Sequence, residues 1–426
     1  MSSSKLSSRP HVQWCDIPVD PATDIIKSLD AIDVQNFSAT CKQWAKICKY
    51  INATCLKSGR PMLLTSQQDQ DGNRFEDDVK TGKFGIHDVS SKLSFICMRI
   101  GMQRRCWIGG KDDWLVTTNR NFEVELLNPI TGASVPIPSF NINQADMRVN
   151  QCPGMKVNDC PTLSVTLDPF TRFFRRVVLS RTPAHHDGYE AIAIFSDGLL
   201  AYTSVVDSGW RVLKNPTDHV DGDMNYYPVD FHDAVAFNGR VLAVAEHGSI
   251  FAWDMNSNDL TPIQLPEPQL WISEDSKRRM FYLAISPTGR LMLLCMSGHG
   301  SGYVDDSMRM VWKPNARFEH VDAMTIQEFV EENEEWRILS SIGRDQCLFV
   351  GLNYPFYVNS NGLKANTVYV ADVANNDMVM CSMKPGGGDG ITKQNFPVDE
   401  AHRLVDGYSV RTPMWFRPTD PGCPRI

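Results

Sequence analysis

The sequence predicts a mainly β protein in which a C-terminal β-propeller of six to eight blades follows three short helices. Two observations predict the propeller, and a third predicts the helices. First, one phrase recurs along the chain: strand, Asn/Asp-centred turn, strand, in "NFEVELLNPITGASVPIP" (121–138), "GSIFAWDMNSNDLTPIQLP" (248–266) and "NTVYVADVANNDMVMCSM" (366–383). Second, the hairpins "AIAIFSDGLLAYTSV", "AVAFNGRVLAVAEHG" and "LAISPTGRLMLLCM" lie between them, each with alternating strands around a polar turn containing Gly. Third, the first fifty residues read differently, with apolar side chains at helical spacing. Meanders repeated over ~340 residues fit blades of ~40–50 residues each, since radial repetition protects strand edges. A sandwich or solenoid is the alternative reading.

The chain opens on a Ser-rich stretch, "MSSSKLSSRPHVQW". It has no apolar h-region, so no secretory leader is expected, and residues 1–13 are expected to be a disordered tail. In "DIPVDPATDIIKSL", Asp20 is placed to cap a helix with Pro21 at its first position, and Ile25, Ile26 and Leu29 fall on one side. "AIDVQNF" supplies a second start, with Asp33 ahead of Val34 and Phe37. "ATCKQWAKICKYI" completes a third helix, with Cys41, Trp44, Ala45 and Cys48 on one face and Lys42, Lys46 and Lys49 on another. Three helices this short carry too little apolar surface to stand alone, so they are expected to pack on the rest of the chain or on another protein.

Composition narrows the function classes. Of 426 residues, 42% are apolar and 22% charged, which is ordinary for a globular protein, and the formal charge is −8. That balance argues against whole-protein affinity for nucleic acid. Residues 34–68 hold five basic and no acidic residues, yet lack a nucleic-acid module. The longest apolar runs, such as Leu291–Met296, are strand-sized, so no membrane span is expected. The twelve cysteines form no CxxC pair. Reduced thiols are expected, as in a cytoplasmic or nuclear protein. Cys41, Cys48 and Cys55 recur every seven residues and read as small core hydrophobes rather than metal ligands.

Local motifs offer no cofactor or metal. "SGHGSGYV" has glycines but a strand-like run after them, where a phosphate loop needs a helix opening. "MKPGGGDGITK" lacks the Gly-Lys-Ser/Thr ending of a P-loop. "DGDMNYYPVDFH" has Tyr226 and His232 where a calcium loop needs Gly and Glu. His185-His186-Asp187 could ligate a metal or supply a base, but adjacent side chains on an extended segment point apart, so the group is set aside. The five glutamates from Glu328 to Glu335 read as a solvated run. No catalytic motif emerges, and an enzyme would need polar groups from several blades converging on the axis.

The N-terminal residues resemble an F-box. The apolar-Pro pair is Ile17-Pro18, the aliphatic pair and later Leu are Ile25-Ile26 and Leu29, and the Asp-Leu-like step is Asp33-Val34 with Phe37. The closing helix is Thr40-Cys41-Lys42-Gln43-Trp44, with Trp14 upstream. Val19-Asp20-Pro21-Ala22 replace the family's acidic residue and Leu after the Pro, which is expected to trim the first helix's leading turn. Further along, "DDWLVTTNRNFEVELLNPITG", "VDAMTIQEFVEENEEWRILSSIGRDQCLFVGLNYPFYV", "GLKANTVYVAD" and "MWFRPTD" resemble plant F-box proteins that carry a KIB-type β-propeller. The resemblance implies an F-box over 14–55 and a propeller over 60–422. It also implies a non-catalytic substrate receptor of a cullin–RING ubiquitin ligase, with no cofactor. The F-box would bind a Skp1-like adaptor through Ile17, Pro18, Ile25, Ile26, Leu29, Val34, Phe37, Cys41 and Trp44, and the propeller face would present a protein target.

Overall fold

The computed structural model describes residues 17–29, 37–38, 40–55, 59–65, 82–89, 94–98, 100–119, 123–138, 174–195, 198–216, 229–257, 259–269, 278–300, 302–304, 310–312, 318–371, 379–383 and 414–418. The expected tail over 1–13, the Asp33-Val34 step, and the loops at 221–228 and 384–394 lie outside the described residues. The chain divides into two compact units, Met1–Arg60 with Arg417–Ile426, and Pro61–Phe416.

The larger unit is a six-bladed propeller, built among the described residues from six four-stranded sheets. The second sheet sets the pattern. β4 (Arg105–Lys111), β5 (Trp114–Asn119), β6 (Val124–Leu127) and β7 (Ser134–Pro136) pair antiparallel in chain order. The third runs β8 (Phe174–Arg181), β9 (Glu190–Phe195), β10 (Leu200–Ser204) and β11 (Arg211–Val212). The fourth runs β12 (Phe231–Phe237), β13 (Arg240–Ala245), β14 (Ile250–Asp254) and β15 (Ile263–Gln264). The fifth pairs β16 (Arg278–Ile285) and β17 (Leu291–Gly300) with β20 (Phe318–Val330) and β21 (Glu335–Ile338). Between β17 and β20 a separate antiparallel pair forms from β18 (Gly302–Val304) and β19 (Met310–Trp312), so the glycine-rich "SGHGSGYV", which reads as a hairpin loop in sequence, is strand over Ser297–Gly300 and Gly302–Val304.

Ring closure falls to the first sheet. There β26 (Met414–Phe416) lies beside β1 (Met62–Thr65), followed by β2 (Lys83–Asp88) and β3 (Ser94–Met98). The sixth sheet departs from the expected meander. Its order is β23 (Phe356–Asn359), β22 (Gln346–Val350), β24 (Thr367–Val370), β25 (Val379–Ser382), and β22 pairs with β24 in parallel. β23 folds back onto one edge of β22, so the chain must cross to the other edge before β24 can start.

Strand composition follows from blade stacking. β10 and β13 are buried along nearly their whole lengths, and β13 is apolar after Arg240, because neighbouring blades cover both of their faces. The fourth strands β7, β15 and β21 are short and mostly exposed, which limits the edge open to other chains. The β12–β13 turn carries Asn238 and Gly239, both at positive φ (49° and 74°), the geometry that "NG" favours between strands. At Asn128 the side-chain oxygen accepts from the backbone N–H groups of Ile130 and Thr131, each at 3.0 Å, and this local bonding makes the Asn-Pro-Ile-Thr-Gly turn.

Apolar clusters bind neighbouring blades. Val116, Leu126, Val177 and Ala193 join the second and third sheets. Ile192, Val235, Trp253 and Leu283 join the third, fourth and fifth. Leu294 with Leu348 joins the fifth and sixth, and Phe349 with Trp415 the sixth and first. Indole N–H groups reinforce the seams. Trp210 donates to Pro138 O (2.7 Å), Trp253 to Lys214 O (2.8 Å) and Trp336 to Pro266 O (2.9 Å). Each acceptor lies two residues past the fourth strand of the preceding sheet. A buried indole needs such a partner, and at Pro138 and Pro266 the end of the repeated phrase supplies it.

Polar groups converge where the inner strands meet. Arg176 on β8 pairs with Asp233 on β12 at 2.8 Å, and Asp233 accepts the N–H of Leu283 on β16 at 2.9 Å. Arg176 also donates to the carbonyl of Asn353, whose side chain accepts from Trp415 N on β26 (3.3 Å). Tyr354 N donates to Gly110 O on β4 (2.7 Å), and the Lys111 ammonium sits 3.6 Å from the Tyr354 ring centroid. One contact chain thus touches all six sheets. Arg176, Asp233 and Asn353 are all buried there, and Arg176 bonds to both of the others.

Candidate functional site

The smaller unit contains α1 (Val19–Ser28) and α2 (Lys42–Cys55), and Phe37 and Ser38 between them are also helical. α1 begins directly after Pro18, two residues earlier than expected, so Asp20 does not cap it and the leading turn is intact. The fixed φ of Pro18 sets the entry, its carbonyl accepts from Ala22 N at 3.1 Å, and Pro21 falls within the first turn, where a missing N–H costs nothing. Asp20 remains in that turn, favourably placed against the helix dipole.

Cys41 occupies the cap position of α2. Its carbonyl accepts from Ala45 N (2.9 Å) and its sulfur from Trp44 N (3.4 Å). The expected apolar face places it correctly beside Trp44, but its role includes ending the backbone's orphan donors.

The two helices meet through a small core of Ala22, Ile26, Ile47 and Cys48, with Ile17, Leu29 and Phe37 packed against it. Trp44 is half-buried and stacks on Phe37 with ring centroids 4.0 Å apart and planes 8° from parallel. On α1, Ile25 is 39% exposed and Val19 48% exposed. The nine residues expected to meet an adaptor therefore separate. Ile26 is fully buried in the core between α1 and α2. Pro18 and Ile25 are exposed, while Ile17, Leu29, Phe37, Cys41 and Trp44 are partly so. Val34 lies outside the described residues. Two positions were missed by the sequence reading: Ile47, which follows Trp44 at i+3 and belongs to the inner stripe, and Val19, the apolar residue directly after Pro18. Lys42 and Lys46 are exposed on α2, consistent with a solvated ridge.

The His185-His186-Asp187 group also differs from expectation. The segment between β8 and β9 is a turn, closed by His185 N to Thr182 O (3.0 Å) and Gly188 N to His185 O (2.9 Å). The imidazoles therefore come together, with centroids 4.2 Å apart, where an extended segment would hold them on opposite sides.

With these arrangements in view, family comparisons can be placed on the chain. An F-box domain model matches residues 14–55, which include both helices, and a KIB1-4 beta-propeller model matches residues 84–389, more than half of the chain. The chain belongs to the KIB1-4 β-propeller family. An F-box joined to a KIB1-4 propeller is the architecture of an SCF-type substrate-recognition protein, a class typically without catalysis of its own, and F-box domains generally bind Skp1-like adaptors. No curated protein matches this KIB1-4 chain. Among solved structures, the β-propeller domain of Cps50 (Swd1) from Myceliophteria thermophila shares 8% identity. It covers 72% of this chain and 88% of its own, with a TM-score of 0.30. A chain of the Mitotic Checkpoint Complex shares 6%, covering 71% and 79%, with a TM-score of 0.31. Likenesses this distant carry no argument. Among the described residues, no helix is long and apolar enough to cross a membrane.

Proposed function

We propose that this chain is the target-binding subunit of an SCF-type cullin–RING ubiquitin ligase, working in the cytoplasm, the nucleus or both. Its helices seat a Skp1-like adaptor, the propeller presents a protein target, and other subunits carry out ubiquitin transfer. The observation that carries this reading is the F-box match over 14–55 in the same chain as the propeller. The local geometry supports it. Pro18 just before α1, and Val19 and Ile25 on it, are exposed apolar residues, while Ile26 packs with the α2 residues Ile47 and Cys48 in the core beneath. A groove that receives such a helix gains affinity from a few apolar anchors. Ile17, Leu29, Val34, Phe37, Cys41 and Trp44 complete the proposed contact set, and Trp44 is its strongest single anchor because a buried interface Trp commonly costs 2 kcal/mol or more on truncation.

The test is binding of the full chain to a purified Skp1-like adaptor. Trp44→Ala combined with Pro18→Ala is expected to weaken binding at least about 30-fold, from ~2 kcal/mol of lost contact, while the propeller's thermal transition stays in place. Equal binding by the double variant, or equal recovery by a chain lacking residues 1–50, overturns the assignment and leaves a propeller scaffold that acts without a ligase.

A further inference from the structure

We propose that the β8–β9 turn is a divalent transition-metal site, formed by His185, His186 and Asp187 and suited to Zn2+ or Ni2+. One donor atom from each residue lies within 4.8 Å of the other two. The Asp187 Oδ2 atom is 3.2 Å from His186 Nε2 and 3.6 Å from His185 Nδ1. Those spacings bracket the edge of a tetrahedron around an ion with bonds of ~2.0–2.1 Å, roughly 3.3–3.4 Å. Two imidazoles and one carboxylate favour a borderline cation such as zinc or nickel over magnesium or calcium, which take oxygen donors.

Three further features make the turn a built arrangement. It is anchored at both ends by strands eight and six residues long, and closed by the two backbone bonds described above. The Asp187 backbone N–H donates to His185 Nδ1 at 3.2 Å, so this nitrogen carries a lone pair rather than a proton. Binding an ion exchanges that hydrogen bond for a metal bond. Arg181 currently holds Asp187 Oδ2 at 3.1 Å, but its Nε also holds Glu190 at 3.1 Å, so the guanidinium keeps a carboxylate partner when the ion takes Asp187. Three protein donors leave at least one position open, and His186 is 80% exposed, so water or a donor from a docked protein completes the shell.

Calorimetric titration of the full chain with zinc chloride, repeated with nickel chloride, tests the site. Wild type is expected to bind one equivalent that His185→Ala with His186→Ala removes, while Asp187→Asn weakens it about tenfold. Magnesium chloride is expected to give no corresponding heat. All three side chains are exposed enough that the metal-free variants should melt with wild type, which the same samples verify. The proposal is overturned by no such equivalent in wild type, by its survival in the double-His variant, or by unchanged affinity in Asp187→Asn.

Discussion

Gly109 has no room for a side chain. A Cβ built there would lie 1.8 Å from the carbonyl oxygen of Val177, because β4 and β8 pass each other backbone to backbone in neighbouring blades. Gly109→Ala is therefore expected to destabilise the propeller by at least about 3 kcal/mol, read as a lowered chemical-denaturation midpoint, since the obstacle is main chain that cannot swing aside. Asp233 offers a second test at the same scale. Burial pushes its carboxyl up to about 6, against the opposing pull of Arg176 and the N–H groups of Leu283 and Ala234. A folded-state value above the unfolded one means that folding takes up a proton. The stability this carboxyl contributes is thus fully present below its ordinary range near 4 and is lost as pH rises through about 6. Measured between pH 4 and 7, unfolding free energy in Asp233→Asn is expected to lack that one-proton decline. Parallel wild-type and variant curves would refute it. Neither residue's importance was legible beforehand, because the close strand crossing and the Arg176 partnership join positions 57 or more residues apart.

At the scale of elements, the indole bonds explain why the strand–turn–strand phrase ends as it does. "VPIP" and "IQLP" place Pro138 and Pro266 where their carbonyls receive Trp210 and Trp336 from the following blade. Trp253→Phe keeps an aromatic ring in the seam but leaves Lys214 O without the indole donor. The expected cost is ~1–3 kcal/mol, measured as a shift in the thermal or denaturant midpoint. Hairpins were the most legible elements, because Asn238-Gly239 and the Asn128 turn write their geometry into adjacent residues. The β22–β24 parallel pair was not legible, since nothing in "QCLFV" or "TVYV" states which edge β23 will occupy. The histidine turn was misread for a related reason: the alternation rule was applied to residues that had left the strand. In α1, the helix start was displaced because Pro18 can precede a helix as readily as Asp20 can cap one, and both lie within three positions.

For the whole molecule, the fold class and the two-part layout were readable, whereas the blade number depended on which strand closes the ring. β26 carries three fully buried residues, Met414, Trp415 and Phe416, and Trp415 bonds to Val350 and Asn353 of the sixth blade. Ending the chain before Met414 removes that strand and both bonds. Such a chain is expected to lose the cooperative unfolding transition and gain protease sensitivity in β1 and β2; an unchanged cleavage pattern would show that the ring holds without it.

The same closure has a consequence in time. β1 pairs with β2 within a couple of dozen residues, but its opposite edge waits for a partner roughly 350 residues later. At ~5–20 residues per second, ribosomal synthesis takes on the order of 20–70 seconds to supply it. Throughout that interval Leu63 and its neighbours present a bare edge to solvent, so the nascent protein is most vulnerable to chaperone capture or mispairing at its earliest-made strand.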